Sequence, residues 1–380
     1  MMKTGHRTLH LLLFLGGLLS APSTLKAQSP RVVDSAGVRI VIHGVIPNSP
    51  APLRLATAYS IDLGGLRENP SEEISSRNPF LIGRPLSNGR WAVVDMSQVR
   101  ILGSNGQLLE SIGRAGQGPG EFRQIRNICI IPGDTIVVLG FGDRRIGAFE
   151  ATGKHIHTST LNGEVDSEPC FADGSILVRG DAVASPSSHL APQQAFLLDR
   201  VAPVQQVRWD GKIIQSLGLM QVGSLDFTFE DYANIVPAHN MIYVGNGSEP
   251  EYRVYDEGGA LKQVVRWRAA SRAVTPAMRA ARVNRGFLAG PAQRSHLPHY
   301  SALRVDPTGS VWLKDYESPP GAPVGYTVFG ANGELIGRVS LPLLPGVRAE
   351  VVWLGADRAL VAWRDADGAP RLTVHPIMRQ

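Results

Sequence analysis

The stretch Gly113-Arg114-Ala115-Gly116-Gln117-Gly118-Pro119-Gly120-Glu121-Phe122 lies between two segments that repeat one pattern. The segment before it reads LSNGRWAVVDMSQVRILGSNGQLLESI, and the segment after it reads IPGDTIVVLGFGDRRIGAFEATGKHIHTSTL. Each runs turn, apolar strand, polar turn, strand, glycine turn, strand. The glycine-rich run is then the crossover from the end of one copy to the start of the next, because glycine tolerates the sharp backbone turns this needs. A four-stranded unit repeated every 40 to 50 residues or so is the sequence sign of a β-propeller.

Taking the turn after each innermost strand as a ruler, the markers are Gly89, Gly133, Gly174, Asn240, Gly309 and Ala356, spaced by 41 to 69 residues. Six blades follow, over residues 78–113, 126–161, 168–209, 233–267, 301–341 and 349–376. The hairpin turns Asn105-Gly106, Gly258-Gly259 and Asn332-Gly333 support the outer strands. The expected fold is all-β, a six-bladed propeller over residues 28–380. An N-terminal strand, 53–63 or alternatively 37–45, should close the ring and remove its open edge. One short helical insertion is expected in 272–300, starting at Thr275-Pro276 and running over 278–287.

Residues 1–27 read as an export signal, with Lys3, His6 and Arg7 before a short apolar run and a small-residue cleavage site ending at Ala27. No cysteine stands near that site, so a lipid anchor is not expected, and the mature protein is placed in the periplasm or outside the cell. Removing 1–27 takes away Lys3, Arg7 and Lys26 and no acid, so the formal charge drops from +5 to +2. That balance gives no reason to expect a nucleic-acid partner. Later segments do not look membrane-spanning. The two cysteines, Cys129 and Cys170, occupy equivalent places in successive repeats, and export permits either a disulfide or two buried thiols.

The motif G-x-x-G-x-G-P-G-E-F at 113–122, with Arg145-Ile146, Phe149 and Gly153 after it, resembles the NHL-type and related bacterial six-bladed propellers. The resemblance is good over about 80 residues and weak elsewhere. Blades three, four and six keep its spacing but little of its motif. It implies the fold, and leaves activity open among binding proteins, lyases and lactone hydrolases. Glu121 reads as a structural acceptor for neighbouring N–H groups or an arginine, and Phe122 as packing between blades.

Propeller ligands gather at a channel mouth, where innermost strands begin. Six residues before the turn markers stand Asn127, Glu168, Asn234, Leu303 and Glu350, with Asn78 the nearest counterpart in blade one. Oxygen ligands including carboxylates suit calcium, and resemblance in residue type to calcium-dependent lactonase propellers implies Asn127, Glu168 and Asn234 as metal ligands. A bound calcium ion could polarise a lactone or ester carbonyl. The bland alternative is a solvated channel mouth. Arg279, Arg282 and Arg285 share a helix face and could hold an anionic ligand over the mouth, or simply be solvated. His155, His157, His239, His296 and His299 form no metal-ligand spacing, and Ser295-His296 lacks a nucleophile elbow. The leading expectation is a monomeric binding module for a small molecule or a protein. A calcium-dependent lactonase or esterase is the alternative, and which residues would be catalytic is unknown.

Overall fold

A computed structural model describes residues 29–63, 74–75, 81–223, 229, 234–283, 293–316, 323–342 and 349–379. The side chains of 166–169 are outside that set, as are the segment 1–27 read as an export signal, Asn78 and Arg285.

The chain is a six-bladed β-propeller. Blade one comprises Gly83–Pro85, Trp91–Asp95, Gln98–Leu102 and Leu108–Ile112. Blade two follows with Ile125–Ile131, Thr135–Gly140, Arg145–Phe149 and His155–Thr160, each strand antiparallel to the last. Blade three begins with Glu164–Cys170 and ends with Ile213–Val222, beyond the limit at 209 read from the sequence. Blade four begins at Asn234–Ala238, blade five at Tyr300–Val305 and blade six at Ala349–Leu354. These innermost strands neighbour one another in ring order, and the sixth returns to the first.

Trp91–Asp95 shows why the strands read as unbroken apolar runs. Side chains alternate across a strand, so Trp91 and Val93 pack with blade six while Ala92 and Val94 pack with blade two. All five residues are buried because both faces meet a neighbour. The six apolar clusters of the described residues each fall between two adjacent blades. Phe122 fills the first of these interfaces beside Phe149.

Both N-terminal candidates are used, for different purposes. Leu53–Leu55 and Ile61–Asp62 pair antiparallel with Pro370–Arg379 and complete blade six. Val38–Val45 instead pairs in parallel with Leu261–Arg268, and Arg31–Ser35 caps it, so blade four has six strands. Between them, residues 46–51 cross the rim of blade five. Arg338 donates its N–H to Ser49 O at 2.9 Å, and Ala51 N–H reaches Arg338 O at 2.8 Å. Gly337 permits the crossing: at φ +143° its Cβ would stand 2.7 Å from the Ala51 Cα. The N-terminal segment thus ties three successive blades together.

Among the described residues two α-helices interrupt the strands, where one was expected. Pro276–Val283 is the expected insertion, with Thr275 Oγ1 accepting Met278 N–H at 3.2 Å as an N-cap. Pro192–Leu198 lies within blade three and accounts for its long repeat. Cys129 and Cys170 are bonded, at a Cα separation of 6.1 Å, and join the innermost strands of blades two and three.

Candidate functional site

In a propeller the innermost strands begin around one mouth of the channel. The crossover 113–122 is wound about a single carboxylate. Glu121 Oε2 accepts N–H bonds from Gln117 (3.0 Å) and Gly118 (2.8 Å), and Oε1 accepts from Arg114 Nε at 2.7 Å. Arg145 clasps the outside, donating to the carbonyls of Gln117 and Gly118. A Cβ on Gly116 would collide with the Glu121 carboxylate. These donors hold Glu121 below the usual carboxylate range, with the Gly118 N–H bond foremost.

Two buried arginines reach between neighbouring innermost strands. Arg84 donates to Gly83 O (3.0 Å) and Val352 O (2.8 Å), and its Nη2 stands 3.4 Å from Asn127 Oδ1. Arg304 donates to Leu303 O (2.9 Å), Val351 O (3.2 Å) and Glu350 Oε1 (2.6 Å). A bulge at Val352 breaks the pairing of blade six, bringing two consecutive carbonyls within reach of two guanidiniums. Glu350 also meets Lys314 Nζ at 3.4 Å. Burial opposes its ionisation, but Lys314 and Arg304 outweigh this and hold it low.

The sequence-predicted oxygens are engaged here in holding strands. Asn127 Oδ1 accepts Ile128 N–H at 2.8 Å as well as Arg84. Asn234 Oδ1 accepts Leu303 N–H at 3.1 Å and its Nδ2 donates to Gly245 O, bridging blade four to blade five. Glu168 is on the innermost strand of blade three, its side chain outside the described set. The described contacts do not join Asn127, Asn234 and Glu350 in one cluster. The Asn127 and Asn234 amide oxygens are thus taken up by N–H donors, with the Arg84 guanidinium beside Asn127, while the calcium expectation also draws on Glu168, whose side chain lies outside the described residues. Among the described residues no group of three His, Cys, Asp or Glu could hold a metal.

The helix Pro276–Val283 turns its basic face inward. The Arg279 and Arg282 guanidiniums lie 5.0 and 4.9 Å from the centre of the buried Phe229 ring, and Arg282 is also 5.5 Å from Tyr316. Guanidiniums stack well on aromatic faces. The arginine pair therefore pins the helix to the mouth.

On the same face, between blades four and five, opens a cleft of about 300 Å³. Val45, Ile46, Trp267 and Leu313 give it apolar walls, with Arg268, Arg272, His299, Asp315 and Arg338 among its polar groups. Asp315 is ion-paired with Arg338, which also donates to Thr327 Oγ1 at 2.9 Å. Burial, with Arg272, Arg294 and His296 nearby, pushes the His299 imidazole below its usual range and keeps it neutral near pH 7. Sequence reading missed this cleft because its residues come from the N-terminal segment and two blades. It also missed Arg84 and Arg304, which both lie five residues before their turn markers, one place from the register compared.

Residues 85–174 match a family model described as a 6-bladed beta-propeller. No curated protein sequence matches the chain. A protein from Bacteroides fragilis described as exported is similar in structure, with a TM-score of 0.54 at 13% identity over 90% of this chain and 99% of its own. A DUF4221-family member from Bacteroides vulgatus gives 0.51 at 10% identity, covering 86% and 99%. A gluconolactonase from Xanthomonas campestris gives 0.40 at 14%, covering 80% and 88%, too distant to bear on activity. These likenesses show the fold alone. Among the described residues no helix is long and apolar enough to cross a membrane.

Proposed function

We propose that this chain is an exported, monomeric, non-catalytic binding module of the periplasm or cell exterior. Its recognition surface is the face on which the innermost strands begin. The observation that carries the reading is the contrast on that face. Near the axis Arg84 and Arg304 are spent on backbone carbonyls and Glu350 on two cations, whereas the neighbouring cleft is open and lined by mixed chemistry. Small-molecule sites have that composition, apolar walls with a few placed polar groups. The export-type leader supports the location, as does the similar fold of a Bacteroides fragilis protein described as exported.

The test compares turnover with binding. Purified mature protein is assayed on a panel of lactones and esters with calcium and with EDTA, beside a Glu168→Gln variant, while thermal shift follows a small-molecule panel. Stabilisation by ligands without turnover is the expected result. Calcium-dependent hydrolysis that disappears in the variant would replace this reading with a hydrolase.

A further inference from the structure

We infer that the cleft between blades four and five takes a small organic anion carrying an apolar ring. The inference rests on the reading of this face as a binding surface and assigns its ligand class. Charge is the first observation. Asp315 is neutralised by Arg338, and neutral His299 offers a hydrogen bond rather than a charge. Arg268 and Arg272 are exposed on the rim, and no ion pair within the described residues balances them. The cleft therefore carries a positive surplus, and a guanidinium fork suits a carboxylate.

Shape supplies the second observation. The Trp267 ring is braced 5.4 Å from Phe329 and 6.1 Å from Tyr300, so a flat wall is held in place before any ligand arrives. Val45, Ile46 and Leu313 extend the apolar lining. A compact hydrated anion such as phosphate gains nothing from those walls. About 300 Å³ lies at the small end of ligand sites, room for one or two rings rather than a peptide chain. The N-terminal segment, through Val45 and Ile46, also makes the wall an assembled product of ring closure.

The probe is naphthoate, followed by calorimetry and by tryptophan fluorescence on the mature protein, with neutral naphthylmethanol and inorganic phosphate as controls. Naphthoate should bind once per chain. Arg268→Ala with Arg272→Ala should weaken it about tenfold or more with unchanged thermal stability, and both controls should bind far more weakly. Naphthylmethanol binding as well as naphthoate, or phosphate binding equally, overturns the assignment. So does naphthoate binding that survives the double substitution. If it survives there but falls in Lys314→Ala, the ligand is in the channel and the binding reading stands without the cleft. Wild-type protein that takes no naphthoate also overturns the assignment, whereas calcium-dependent lactone turnover is what removes the reading beneath it.

Discussion

Arg84 and Arg304 approach blade six from opposite sides and hold carbonyls of consecutive residues, Val352 at 2.8 Å and Val351 at 3.2 Å. One comes from blade one and the other from blade five, so the sixth innermost strand is clamped by both neighbours. Blade six is also where the ring closes, around a strand drawn from the other end of the chain. The clamp therefore sits at the joint where covalent continuity is weakest.

Replacing Arg304 with Met should expose what the clamp is worth. Three donor contacts disappear from a site where Arg304 is buried, and Glu350 keeps only Lys314 of its two cations. The expected loss is about 2–4 kcal/mol in urea unfolding. Arg84→Met should act in the same direction, and the double variant should lose a different amount from the sum, because both residues brace one strand. Losses below about 0.5 kcal/mol for both would mean that the clamp contributes nothing.

Glu121 sets a pH signature for the crossover. Its folded value lies below the ordinary 4.5, so its contribution is complete above that value and is lost as the pH falls through the folded one. Glu121→Gln should therefore melt below wild type near neutral pH and approach it on acidification. A gap that stays constant with pH would show that the carboxylate charge does not organise the loop.

How much of this was legible follows from the distances over which each feature is encoded. Gly113–Phe122 is local: its glycines, its carboxylate and its phenylalanine act within one crossover, and the sequence reading of Glu121 and Phe122 matches their contacts. The repeat ruler worked for strands because alternation is also local. It was one residue out for the channel, since a strand reverses the direction of its side chains at every step. The parallel pairing of Val38–Val45 with Leu261–Arg268 joins segments over 200 residues apart, and nothing in either strand names the other. Pro192 at the start of QQAFLL is a local helix signal, since proline suits the first turn. In the sequence the arginine stripe reads as charge, whereas its two described members stack on Phe229, which lies between blades three and four in the chain.

The disulfide should behave as a staple between blades two and three. Cys129 and Cys170 enclose a sequence separation of 41 residues. A loop of that length restricts the unfolded chain enough to stabilise the native one by about 3–4 kcal/mol. Cys129→Ala with Cys170→Ala should lose about that much in denaturant, with the fold retained by circular dichroism. An unchanged unfolding midpoint would mean that the innermost strands hold as well without the bond.

The closing strand carries a proton-dependent latch at His375. This ring is fully buried, and its Nδ1 lies 2.9 Å from Ala56 O, which can only accept, so Nδ1 carries the hydrogen. The neutral ring then accepts the Thr373 hydroxyl at Nε2 (2.9 Å), while Thr373 Oγ1 accepts Trp363 Nε1–H at 3.0 Å. Protonation at Nε2 would set a second donor against the Thr373 hydroxyl. Burial lowers the His375 value below 6.5, outweighing the Ala56 carbonyl, which favours the charged form. The unfolded chain therefore takes up the proton first. Stability is complete above about 6.5 and falls as the pH drops through it. Beside this strand, Asp365 is held low against the cost of desolvation by the Ala369 N–H and by Arg371, which also pairs with Asp62. Wild-type protein should lose urea resistance between about pH 8 and about pH 5, with faster amide exchange in residues 53–63. His375→Gln should flatten that slope, and a variant that keeps it would place the acid sensitivity away from the closure.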